Sequence, residues 1–117
     1  MTVTIYHNPR CSKSRQTLQL IRDHDLEPTI IEYLKTPPSH SALKQIIALL
    51  KISPRELLRQ KEPAYNELKL DNPALSDNEI LTAMVENPIL IERPIVIQGK
   101  KAVIGRPPEN ILEILNV

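Results

Sequence analysis

A chain of 117 residues with 41% hydrophobic content suits one domain with a modest core and is too short for two. Its formal charge of +1 gives no global pull towards nucleic acid or an anionic membrane surface, and 3% aromatic content without Trp or Phe leaves few platforms for base stacking. The chain opens directly on a strand pattern without a signal-like apolar core, and it has no apolar run of the roughly 18 residues that cross a bilayer, so a cytoplasmic protein is expected.

Val3-Thr4-Ile5-Tyr6 reads as a strand, and Leu18 and Ile21 recur with Ser14 on one face of a helix that should fade near His24-Asp25. Thr29-Ile30-Ile31-Glu32-Tyr33-Leu34 reads as a second strand, entered through Glu27-Pro28 and closed by Thr36-Pro37-Pro38. Two strands joined by one helix make a βαβ unit, so the two should be parallel neighbours. Leu43, Ile46, Ile47 and Leu50 mark the apolar face of a third element. Ser53-Pro54-Arg55-Glu56 is a capping-box pattern opening a short helix through Leu57, Leu58 and Arg59, and Ser76-Asp77-Asn78-Glu79 repeats the signal ahead of Ile80, Leu81, Met84 and Val85. Between them residues 61–73 look irregular, with at most one turn at 64–68. Asn87-Pro88 ends the last of these helices. Residues 94–98 and 101–105 flank a turn at Gly99-Lys100 as a hairpin, and a final helix should bury Ile111, Leu112 and Leu115. The expected architecture is α/β: a thioredoxin-like mixed sheet of about four strands, ordered β-α-β, helices, β-β-α. It forms one domain over 1–117, with a helical insertion over about 39–88 packed on the sheet.

Within that layout Cys11 falls at a strand-to-helix turn. The first backbone N–H groups of a helix lack intrahelical partners and its dipole end is positive, so a thiolate is stabilised there and an oxyanion can dock beside it. His7, Arg10, Lys13 and Arg15 add donors or positive charge. Such surroundings lower a thiol pKa from about 8.5 and make it a nucleophile. A lone cysteine is more often a small buried hydrophobe. Here its neighbours are Arg10, Ser12, Lys13 and Ser14, which burial would desolvate, and the reactive reading is preferred. One cysteine excludes an internal disulfide and a Cys-rich metal centre, so any resolving thiol must come from outside, as glutathione or a small redox protein. No His, Cys, Asp and Glu set has ligand spacing, and no bound metal or cofactor is expected.

His7-Asn8-Pro9-x-Cys11-x-x-Ser14-Arg15, Leu57-Leu58-Arg59, Glu92-Arg93-Pro94-Ile95-Val96 and Gly105-Arg106-Pro107 together resemble the ArsC-like family of glutathione- and glutaredoxin-dependent arsenate reductases, over nearly the whole chain. Short arsenate-reductase-like members are especially similar. The resemblance implies reduction of arsenate to arsenite through a covalent Cys11–arsenic adduct, with glutathione as reducing co-substrate, glutaredoxin as partner and arsenate or a related oxyanion as substrate. It casts Cys11 as nucleophile and Arg59, Arg93 and Arg106 as the oxyanion-binding arginines. It also casts His7 and Ser14 as groups acting on the cysteine's ionisation, and Pro94 as following a cis peptide bond. A monomer is expected. Family reductases commonly carry Gly and Thr where this chain has Ser12 and Lys13, and Ala where it has Arg10. A Ser at position 12 would restrict the loop if a positive φ were needed there.

Two other classes fit the same pattern. A regulator like the Spx transcription factors, which bind RNA polymerase, typically senses redox state with Cys-x-x-Cys, but the second position here is Ser14. A thiol oxidoreductase acting on glutathione mixed disulfides would share the cysteine, with arsenate incidental.

Overall fold

Val3, Ile5 and His7 point inward and Thr4 and Tyr6 are half-buried along β1 (Val3–His7), the alternation of a strand with two unlike faces. In the computed structural model, which describes residues 2–115, the chain divides into two compact units: Met1–Thr36 with Arg93–Val117, and Pro37–Glu92. The outer bounds of the expected domain, residues 1 and 117, lie outside the described residues.

The first unit is a four-stranded mixed sheet ordered β2-β1-β3-β4. After β1, α1 (Ser12–Asp23) leads to β2 (Thr29–Glu32), which runs parallel to β1 in the register Thr4 to Thr29 through His7 to Glu32. On the other side of β1, β3 (Ile95–Gln98) is antiparallel, and β4 (Lys101–Ile104) returns beside it through a turn at Gly99, whose φ of 61° suits glycine. This is the expected thioredoxin-like α/β arrangement. Its core joins Val3, Ile5, Ile21, Val96, Ile111, Ile114 and Leu115.

Three details of this unit differ from expectation. Strand β2 stops at Glu32, whose carbonyl accepts the N–H groups of both Lys35 and Thr36 at 2.9 Å and closes the chain into a turn. The last element is a 3-10 helix, Pro108–Glu113, not an α-helix. Its three-residue turn stacks Ile111 under Ile114, so Leu112 is left 45% exposed while Ile114 takes the predicted buried place. On α1 the fully buried residues are Ser14, Thr17 and Ile21, and Leu18 is only half-buried against the core.

Small polar side chains line that face because the chain at Gly105 passes close by. A Cβ on Gly105 would lie 2.7 Å from Thr17 Oγ1 and 3.0 Å from Pro94 Cγ. Gly105→Ala is therefore expected to cost about 1–3 kcal/mol through overpacking, read as a lower denaturant midpoint with an unchanged m-value. A midpoint equal to that of the parent would show that the loop relaxes freely.

The helical unit, Pro37–Glu92, is slightly longer than the expected insertion. Ser39 Oγ caps α2 (His40–Leu50) by accepting the Ala42 N–H at 3.1 Å, and α2 buries Leu43, Ile46 and Ile47, with Leu50 half-buried. Glu56 Oε2 accepts the Ser53 N–H at 2.6 Å at the start of a 3-10 helix, Pro54–Leu57. The helix expected through Leu58 and Arg59 ends at Leu57, because those residues pair with another segment instead. Leu58 forms an antiparallel bridge with Ile91, the Arg59 N–H reaches the Leu90 carbonyl at 2.8 Å, and the Glu92 N–H reaches the Leu57 carbonyl at 2.9 Å. The region read as irregular holds a short helix, α3 (Pro63–Glu67), followed by turns that Arg55 ties down through the Leu70 and Asn72 carbonyls. A reciprocal Ser76–Glu79 capping box opens α4 (Asp77–Glu86), which buries Ile80, Leu81 and Met84 and leaves Val85 half-buried.

Candidate active site

Antiparallel pairing sets Tyr6, near the end of β1, opposite Ile95 at the start of β3, and Ile95 opposite Ile104 at the end of β4. The loop leaving β1, the segment entering β3 and the segment leaving β4 therefore meet at one end of the sheet. They carry Cys11, Arg93 and Arg106. The Gly105 N–H donates to the Pro94 carbonyl at 2.9 Å and extends the β3–β4 ladder to the two arginines, each followed by a cis X-Pro bond (Arg93-Pro94, Arg106-Pro107).

Cys11 is the N-cap of α1, with extended backbone angles of −93° and 123°. Its N–H donates to the Asn8 carbonyl at 3.0 Å, and its carbonyl accepts the Arg15 N–H at 3.0 Å as the first helical bond. Asn8, which is buried, accepts the Arg10 N–H on Oδ1 at 3.0 Å, and the Arg15 guanidinium donates to the Pro9 carbonyl at 2.9 Å. Ser12 starts the helix and is not among the described non-glycine residues with positive φ, so serine is no obstacle there.

Cys11 is half-exposed, and Arg106 Nη1 lies 3.6 Å from its sulfur. The same Nη1 donates to the Arg93 carbonyl at 3.2 Å. Burial pushes the Cys11 thiol up, but the Ser14 N–H, the Arg93 and Arg106 guanidinium groups and the Lys13 N–H outweigh it, and the thiol is held below its ordinary value. Lys13 thus acts through its backbone, while its side chain and those of Arg10 and Arg15 are exposed.

This shift has a sign that can be measured. The thiol ionises more readily folded than unfolded, so its contribution to stability is complete above the unfolded value near about 8.5 and is lost as pH falls through the folded value. Over that interval the unfolding free energy of the parent minus that of Cys11→Ser should rise with pH, then level off. A difference that is flat across the series, by urea unfolding, would contradict it.

His7 and Ser14 come together as expected, though not as a charge. His7 Nδ1 and Ser14 Oγ are 2.6 Å apart, and the Asn8 N–H donates to the same Oγ at 3.0 Å. Burial lowers the His7 pKa; the Glu32 carboxylate opposes this, and Arg22 and Arg15 lower it further. The ring is consequently neutral at neutral pH. Instead of supplying positive charge, it anchors Ser14, whose N–H faces the sulfur.

Arg59 belongs to the helical unit, where its Nε meets Glu62 at 3.2 Å and its Nη1 meets Glu92 at 2.6 Å. Two residues important to the geometry carried no assigned role in the sequence: Asn8, whose Asx turn the Asn-Pro-Arg spacing could have signalled, and Thr17. Thr17 is buried, donates to the Lys13 carbonyl at 2.8 Å and lies 3.4 Å from the Gly105 carbonyl. The Ser14–Thr17 spacing on an otherwise apolar face was its signal. Among the described residues no three His, Cys, Asp or Glu side chains gather as a metal site, and no helix is long and apolar enough to cross a membrane.

The sequence model of the ArsC family matches residues 6–114. The chain is 52% identical over 114 residues to the uncharacterized protein YfgD of Escherichia coli (strain K12), covering 97% of this chain and 96% of that one. It is 50% identical over 116 residues to an arsenate reductase of Haemophilus influenzae, covering 98% and 100% of the two chains. A solved arsenate reductase from Vibrio cholerae superposes with a TM-score of 0.96 at 49% identity, covering 98% of each chain.

Proposed function

Because this chain belongs to the ArsC family, we propose that it is an arsenate reductase that uses Cys11 as its nucleophile and outside thiols as its source of electrons. The observation that carries this reading is a half-exposed cysteine at a helix N-cap, whose thiol pKa is lowered against burial by two backbone N–H groups and the guanidiniums of Arg93 and Arg106.

Arsenate is a tetrahedral oxyanion, and guanidinium forks hold such anions through paired N–H donors. In this reading Arg93 and Arg106 carry the anion at the sulfur. Arg59 is assigned to it on family resemblance, while its guanidinium engages Glu62 and Glu92. The Cys11 thiolate attacks arsenic; a bond to oxygen breaks, and that oxygen leaves as water after protonation, giving a thiol–arsenic(V) adduct. Overall, arsenate and two thiols become arsenite, one disulfide and water, so two electrons pass from sulfur to arsenic. With a single cysteine in the chain, both oxidised sulfurs in the final disulfide come from outside. Glutathione and a glutaredoxin are the proposed donors. The reading also takes the protein as a cytoplasmic monomer, working as one domain with residues 39–88 as its insertion.

The test is arsenite production by purified protein supplied with arsenate, glutathione and glutaredoxin. Arsenite should appear, and Arg93→Ala should raise the arsenate KM about tenfold or more, as expected for loss of one charged donor. Turnover of a glutathionylated peptide without any arsenite would favour the thiol oxidoreductase instead. The Spx-like reading has less support: Ser14 has no exposed surface and bonds His7 and Asn8 where that class typically carries a second cysteine.

A further inference from the structure

We propose that a groove beside the Cys11 turn, walled by Pro9, Arg10, Glu32, Leu34 and Lys35, binds the tripeptide thiol that supplies electrons to the site; this rests on the thiol-fed reductase reading above. Strands β1 and β2 are parallel and end side by side at His7 and Glu32, so residues 8–10 of one following loop and Leu34 and Lys35 of the other line the groove. One wall is therefore the turn that the Cys11 N–H closes onto the Asn8 carbonyl.

The size and charges of the groove select the occupant. At 270 Å³ it falls just below the range of about 300–1,000 Å³ typical of small-molecule sites, which suits a tripeptide and not a folded protein. Its charged lining is two cations, Arg10 and Lys35, and one carboxylate, Glu32. Glutathione carries the complement: two carboxylates and one ammonium group, at opposite ends of a chain with the thiol between them. Leu34, 39% exposed, and Pro9 offer apolar surface to its methylenes.

The groove's own ion pair does not block this. Lys35 Nζ and Glu32 Oε1 stand 3.6 Å apart with side chains 79% and 40% exposed, and pairs so open to solvent are worth little and exchange readily. Arg10 is held at its backbone by Asn8 Oδ1, while its side chain is exposed. A cation at that position is one of this chain's departures from the family pattern.

The experiment titrates the full chain with S-methylglutathione, which cannot exchange with Cys11, and follows backbone amide shifts. Shifts should cluster at Asn8, Arg10 and residues 32–35. Arg10→Ala/Lys35→Ala should weaken binding about tenfold, as should esterifying the glycine carboxylate of the ligand. In turnover the same double variant should raise the glutathione KM by a similar factor, with the arsenate KM and the pH profile of Cys11 alkylation unchanged. Shifts located elsewhere, or equal affinity in the double variant, would overturn the proposal. Arsenite formation without binding in the groove removes the groove alone; binding in the groove without arsenite formation removes the reductase reading alone.

Discussion

Replacing Cys11 by serine is expected to abolish arsenite production, by at least about a thousand-fold in kcat, while leaving the fold in place. A serine hydroxyl can occupy the same N-cap, a position serine favours, so the helix should start as before. What is lost is ionisation. The two N–H groups and two guanidiniums that lower the thiol pKa cannot bring an alcohol, whose pKa lies far higher, into a thiol's range. Circular dichroism and a denaturant midpoint would check the fold, and arsenite assays the chemistry. Equal turnover by the two proteins would remove Cys11 from the reaction.

Arg106→Ala is the second large effect, with kcat/KM expected to fall about 100- to 1,000-fold, the usual cost of one preorganised donor at a developing anion. Arg106 Nη1 serves both the Cys11 sulfur at 3.6 Å and the Arg93 carbonyl at 3.2 Å, so its loss removes charge from the thiolate and frees the segment that carries the other guanidinium. Because the guanidinium favours the charged form of the thiol, removing it must raise the pKa. The midpoint of Cys11 alkylation against pH should therefore move up in Arg106→Ala. Arg106→Lys restores a point charge without the fork and should recover part of the shift and little of the turnover. If the alkylation curves of the alanine variant and the parent superpose, the contact with the sulfur has no electrostatic consequence.

Much of the site was legible because its signals are local. A β-branched run before Cys11 and a helical pattern after it set the thiol at a helix start, and Ser53 and Ser76 announced two further starts. Where expectation failed, a distant segment or the local winding of the backbone had decided the matter. Leu58 and Arg59 left their helix to pair with residues 90–92. Leu112 gave its buried place to Ile114 because the last element winds in three-residue turns.

Charge around the sulfur divides in the same way. From Arg10, Cys11, Lys13 and Arg15 alone one would assign the positive field to nearby side chains, yet these are exposed, and Lys13 contributes its backbone N–H. The guanidiniums that face the thiol come from far along the chain, Arg106 being 95 residues from Cys11. Local propensity and capping chemistry, which depend on a few consecutive residues, wrote the β-α-β start and the helix N-cap into the amino-acid order. Which cations reach the sulfur, and that His7 serves as a neutral anchor, followed from antiparallel strand pairing and burial. Both arise only once distant segments share one sheet end and exclude water from it.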